Sequence, residues 1–195
     1  MFIYIGGIPS VGKSTLVQTI KIRAIQEKIN TEVMNGLPIL CSLANVKTAE
    51  ELRRLPEEKR KVLRPRMYDI VYLLMKQKPE TIWLFDGHFC YFDWYGKRYG
   101  VRPIQSWDKE LMLGIIVLTA QPETILRRRI KDGRQDRKLD LDFIRKELKK
   151  ETRIAQSQAK KLRKPIRFIV NEDGNAELNA KEILHLIKKW GGGSK

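Results

Sequence analysis

Lys13, Ser14 and Thr15 follow the run Gly7-Ile8-Pro9-Ser10-Val11-Gly12 without a gap. A cation and two hydroxyls beside closely spaced glycines suit the binding of oxyanions. Glycine lets successive backbone N–H groups turn inward around a phosphate. The spacing from Gly7 to Ser14 fits the phosphate-binding pattern GxxxxGK[ST]. In that pattern Lys13 sets a point charge on the β and γ phosphates, and the Ser14 hydroxyl meets Mg²⁺. Pro9 stiffens the turn, and Thr15 can reach the α phosphate. A helix opening near Lys13 would add its positive dipole end.

Phosphoryl chemistry at such a loop needs a carboxylate on a neighbouring strand to hold Mg²⁺ or its water. The segment "TIWLFDGH" supplies Asp86 after four apolar residues, with His88 two positions on. His88 could touch a phosphate or the acceptor, or pair with Asp86. Charge spread over a transferring group also calls for mobile guanidinium groups. "ILRRRIKDGRQDRKLD" offers them, with Arg129, Arg134 and Arg137 preferred to Arg127, and residues 127–140 read as a closing lid.

Residues 35–78 form a long basic excursion where an acceptor-binding insertion belongs. Gly36, Arg53, Arg54 and Arg64 are its candidates for an acceptor phosphate. From His88 to Trp107 the chain concentrates aromatics with Lys97, Arg98 and Arg102 among them. Rings can stack a base while cations meet phosphate. A hydrophobic flap is the plainer reading of the same stretch.

Five segments must position these groups as strands: Phe2 to Ile5, Thr31 to Met34, Thr81 to Phe85, Leu113 to Leu118 and Ile166 to Val170. Three are nearly continuous apolar runs, as in parallel strands covered on both faces. Helical patterns lie between them at Lys13 to Glu27, Pro56 to Lys76, Pro122 to Ile130, Asp140 to Leu162 and Ala176 to Trp190. In the fourth, Leu141, Ile144, Leu148, Ala155, Ala159 and Leu162 make one apolar stripe. The alternation predicts an α/β fold: a three-layer, mainly parallel five-stranded sheet with helices on both faces. One domain over 1–190 and a flexible tail over 191–195 account for the length.

Thirty-nine Lys and Arg against 23 Asp and Glu leave a formal charge of +16. Such a balance favours anionic partners, whether nucleotides or nucleic acid, or else reflects a solvated basic surface. No apolar run is long enough to span a bilayer, and no basic leader precedes Phe2. Cys41 and Cys90 lie far apart and read as reduced thiols of a cytoplasmic protein. Oligomeric state is left open.

The assembled pattern resembles the nucleoside-monophosphate kinase branch of P-loop proteins, and more narrowly the archaeal-type adenylate kinases. "GIPSVGKST" looks like that family's proline-containing loop, with Ser10 where a glycine is usual. "EVMNG" falls at its second strand and acceptor-side glycine, and "ELRRLPEEKRKVL" looks like its Arg-rich stretch, with Arg53 at the family arginine. Arg64 stands where a glutamine is common. "LFDGH" matches its Asp-x-His strand end, so Asp86 and His88 carry over. "ILRRRIKDGRQDR" looks like its lid, with Arg128 and Arg129 before the turn and Arg134 and Arg137 in it. The resemblance implies ATP and Mg²⁺ as cofactors and a nucleotide as acceptor. Two rivals stay open: a kinase acting on the hydroxyl of a metabolite or nucleic-acid end, and a nucleotide-dependent RNA-binding ATPase.

Overall fold

The computed structural model describes residues 1–92, 99–134 and 137–192, with backbone only at Arg53, Tyr91 and Tyr99. Five parallel strands form the sheet: β1 (Phe2–Gly6), β2 (Thr31–Asn35), β3 (Ile82–Asp86), β6 (Met112–Thr119) and β7 (Ile166–Val170). Their order across the sheet is β2-β3-β1-β6-β7. From β1 the chain first runs to the β2 edge and comes back through β3. It then crosses to β6 on the opposite side of β1. The crevice beyond the carboxyl ends of β1, β3 and β6 is therefore a topological switch point, where ligands of open α/β sheets bind.

Alternation along the strands divides the core in two. Ile3, Ile5, Leu84, Ile116 and Leu118 face one way and are fully buried. They pack on Leu16, Val17 and Ile20 of α1 (Lys13–Gln26) and on Ala180, Ile183 and Leu184 of α8 (Ala176–Gly191). Phe2, Tyr4, Trp83, Phe85 and Val117 face the other way. There they meet Met67, Tyr68 and Val71 of α4 (Glu57–Gln77) and Ala155, Ala159 and Leu162 of α7 (Leu141–Leu162). Both faces are covered, which explains the continuous apolar strands.

Strands and long helices stand within a residue or two of the sequence reading. Three features refine that reading. The excursion over 35–78 folds as three helices: α2 (Gly36–Ala44), α3 (Ala49–Arg54) and α4. The aromatic stretch contains an antiparallel hairpin, β4 (Cys90–Phe92) and β5 (Tyr99–Val101), followed by the short α5 (Asp108–Leu111). The segment expected as a lid begins as regular helix, since α6 runs over Pro122–Asp132. It stops at Gly133 in the left-handed region (φ 64°). Asp140 then caps α7 by accepting from Phe143 N at 2.6 Å. No helix among the described residues is long and apolar enough to cross a membrane.

Candidate active site

At the end of β1 the chain turns through Gly7 and Gly12, at φ 152° and 94°, and α1 starts at Lys13. Ser10 also lies in the left-handed region, at φ 65°. This is the position where the resembled family has glycine, so the loop keeps that backbone shape without that residue. Gly12 is different, because a Cβ there would lie 2.4 Å from Asn171 Nδ2. Asn171 is fixed from both sides: its Nδ2 donates to Val11 O at 2.9 Å, and its Oδ1 accepts from Asn179 at 3.0 Å. Arg128 Nη1 donates to the same Val11 carbonyl at 3.1 Å. The loop's outer wall is thus held from β7 and α6.

A cavity of about 860 Å³ opens above the strand ends. Pro9, Ser10, Gly12, Lys13, Ser14 and Thr15 line it on the donor-loop side. Asp86 and His88 line its floor, and Gly36 and Arg64 stand on the α2–α4 side. Arg128 enters from α6, and Arg134 and Arg137 from the turn between α6 and α7. Most of the candidate residues scattered along the sequence therefore meet at one crevice. Gly7 lies beneath it, and Ile8 and Val11 send their side chains into the core. The Arg53 side chain and Arg98 lie outside the described residues.

Arg129 departs from the expectation of a lid arginine. Its side chain is 1% exposed, and Nη2 lies 2.5 Å from Glu147 Oε2 on α7. Nη1 donates to Lys138 O at 2.9 Å. The guanidinium is turned under the donor loop, not toward the cavity, because α6 at that point is still helix packed on α7. Arg128, one residue earlier, lines the cavity, with its guanidinium held by Asp173 and the Val11 and Asn171 carbonyls.

Lys13 Nζ lies 2.5 Å from Gly7 O and 3.3 Å from Ile8 O. Burial pushes its pKa down to about 8, against the pull of Asp86 and Glu151. Asp86 sits in register with Ile5 on one side and Asn35 on the other, level with the next-to-last residue of β1. Burial raises its carboxyl, and Lys13 partly offsets the rise. His88 Nδ1 is 2.6 Å from Gly7 O, so that nitrogen carries the hydrogen. Burial and the Lys13 charge hold the imidazole well below its ordinary pKa. It is neutral, with its lone pair on Nε2.

Two buried carboxylates on α7 were missed in the sequence. Glu147 and Glu151 stand one turn apart on α7, and both point inward. Glu151 Oε1 accepts from Gly7 N at 2.8 Å and Phe89 N at 2.9 Å, and Oε2 accepts from Cys90 N at 2.7 Å. A signal was present: the apolar stripe skips from Leu148 to Ala155, and Glu151 occupies the skipped place. Behind Tyr4, Arg102 is buried in a bidentate pair with Asp108 at 2.7 and 2.8 Å. Its guanidinium lies 4.5 Å from the Tyr4 ring centre.

Residues 6–145 match the family model described as an AAA domain. The chain belongs to that family. It is a P-loop protein similar to the nucleoside-monophosphate kinases, as the motif resemblance implied. It is 25% identical to the adenylate kinase of Sulfurisphaera tokodaii over 185 residues, spanning 92% of this chain and 95% of that one. Its fold matches the crystal structure of shikimate kinase from Bacteroides thetaiotaomicron at a TM-score of 0.57. That match has 16% identity and covers 96% of this chain and 98% of the other. Both relatives are small-molecule kinases by name, which gives no support to nucleic acid, one of the partners that the charge left open.

Proposed function

We propose that this chain is an ATP- and Mg²⁺-dependent phosphotransferase whose acceptor is a nucleoside monophosphate, adenylate in the first instance. The observation that carries the reading is the meeting of the GxxxxGKS loop, Asp86 and three arginines on one cavity. Its volume is within the roughly 300–1,000 Å³ usual for small-molecule sites. Lys13 and the loop amides would hold the donor phosphates, and Arg128, Arg134 and Arg137 would meet charge as it develops on the transferring group. Gly36 and Arg64 would receive the acceptor, and His88 would stand at the junction of the two halves.

Ser14 and Asp86 offer a hydroxyl and a carboxylate to the same cavity. That pair suits Mg²⁺, which takes one or two protein oxygens and completes its shell with phosphates and water. Bound there, the ion would neutralise the phosphate oxygens. A phosphate acceptor is already ionised and needs no general base. Segments 35–78 and 127–140 are assigned to acceptor binding and to the lid.

A second reading, a kinase acting on a small-molecule hydroxyl, is favoured by two observations. One structural relative is named a shikimate kinase. The raised carboxyl of Asp86 and the neutral imidazole of His88 both face the cavity, and either group could take a hydroxyl proton.

Labelled ATP offered to a panel of nucleoside monophosphates and hydroxyl acceptors tests both. AMP is expected to accept label in the presence of Mg²⁺, and folded Lys13→Ala protein to transfer none. Transfer confined to a hydroxyl acceptor establishes the second reading. Full activity of Lys13→Ala refutes the site. Asp86→Asn should raise the Mg²⁺ needed for turnover, and an unchanged requirement would leave Asp86 as no more than a strand end.

A further inference from the structure

Glu151 lies outside the cavity, yet its carboxylate binds the backbone of the loop that carries Lys13 and of the segment next to Asp86 and His88. One partner, Gly7, opens the donor loop. The other two, Phe89 and Cys90, belong to the segment that follows Asp86 and His88. These segments come from different strands, β1 and β3, and the carboxylate comes from a third element, α7. Three N–H donors converge on two oxygens, and no acceptor is needed, so the group is used as a carboxylate.

The surroundings leave little slack. A Cβ on Gly6 would lie 2.3 Å from the Phe89 ring, so the end of β1 and the segment after β3 touch directly. Tyr4 O–H donates to His88 O at 3.0 Å, a second tie between the same two segments. The Gly7 peptide is gripped on both sides: its N–H by Glu151, its carbonyl by Lys13 and His88. Four residues earlier on the same helix, Glu147 holds Arg129, whose Nη2 also approaches Pro9 O at 3.4 Å.

We propose that Glu151 is a positioning residue that sets the spacing between the donor loop and the acceptor edge of the cavity. This deepens the phosphotransferase reading and rests on it. Each half can bind its own ligand alone. In-line transfer needs both held at one separation, and a small misplacement there costs rate far more than affinity. Gln at this position offers one oxygen where Glu offers two, and turns an amide N–H₂ toward a backbone N–H. Asp keeps the charge but falls one methylene short.

The test compares wild type, Glu151→Gln and Glu151→Asp at a temperature where thermal melts show each to be folded. The acceptor is whichever one the wild type uses in the panel above, so a failure of the adenylate reading leaves this test standing. The expected result is a fall in transfer turnover of at least about tenfold in both variants. Affinity for a fluorescent ATP analogue should change less than about threefold, and the ratio of ATP hydrolysis to transfer should rise. Folded variants with wild-type turnover and hydrolysis ratio would overturn the proposal and leave Glu151 a structural residue. Amide hydrogen exchange on the wild type gives an activity-free check. Gly7, Phe89 and Cys90 should exchange slowly, and rapid exchange at Gly7 or at both of the others overturns it as well.

Discussion

Arg129 and Glu147 form a buried pair, with Nη2 and Oε2 2.5 Å apart beneath the donor loop. Removing either partner strands the other charge in a dry site, which typically costs about 3–5 kcal/mol. Arg129→Ala and Glu147→Ala should therefore each lower unfolding free energy by about that amount, read from urea denaturation. The double variant should lose less than the sum of the two. A normal melt for Arg129→Ala with lost turnover would return this residue to the lid.

Arg134 and Arg137 behave differently because both line the cavity. Arg134 is well exposed and pairs with Asp132 at 3.2 Å. Replacing both with alanine should leave the melt nearly unchanged. It should cut turnover roughly a hundredfold, with ATP affinity changed far less, since their work falls in the transition state. An unaltered turnover number would move the lid function to Arg128 and Lys131.

Two loop positions, one on either side of Val11, should respond in opposite senses. Ser10→Gly relieves a left-handed residue but adds freedom to the unfolded chain, so a gain between zero and about 1 kcal/mol is expected. Gly12→Ala puts a methyl group against Asn171, which cannot move without releasing Val11. A loss of about 2 kcal/mol or more and weakened nucleotide binding should follow. Paired melts and analogue titrations check both.

Cys90 offers a pH test. Burial and the Glu151 charge push its thiol up to about 12, from an ordinary value near 9. The folded state therefore keeps a proton that the unfolded state releases. The resulting stability is complete below about pH 9 and is lost as pH rises toward about 12. At pH 8 one equivalent of iodoacetamide should react, at half-buried Cys41, and a second only in denaturant. Two rapid equivalents in native protein would contradict the burial of Cys90.

The parts of this molecule that were legible in its sequence share one property: their signal is local. The glycine spacing around Lys13, the apolar runs into Asp86 and the stripe of α7 each sit within a short window. The hairpin after Phe89 was read as an aromatic loop because its pairing, Cys90 with Val101, depends on partners eleven residues apart. Phe92 stacks edge-on against Phe143 of α7, at 5.3 Å between ring centres, a contact that no window over residues 89–99 contains. Trp94 and Tyr95 lie outside the described residues. Arg129 was misread for a similar reason. Among three consecutive arginines, only the phase of α6 against α7 decides which one is buried, and that phase is set by tertiary packing. Glu151 interrupts an apolar stripe, and an interruption acquires meaning only when the amides that it serves are in view.

The caps at Gly133 and Asp140 carry a consequence for how such a protein can diverge. Each helix end is finished by its own residues: a left-handed glycine closes α6, and an aspartate side chain opens α7. The crossover between them bears cavity arginines but is not needed to start or stop either helix. Insertions and deletions there can accumulate over generations without unseating the glutamates of α7. The arginines of that short crossover can be repositioned while the glycine loop and its buried supports on α7 are inherited intact.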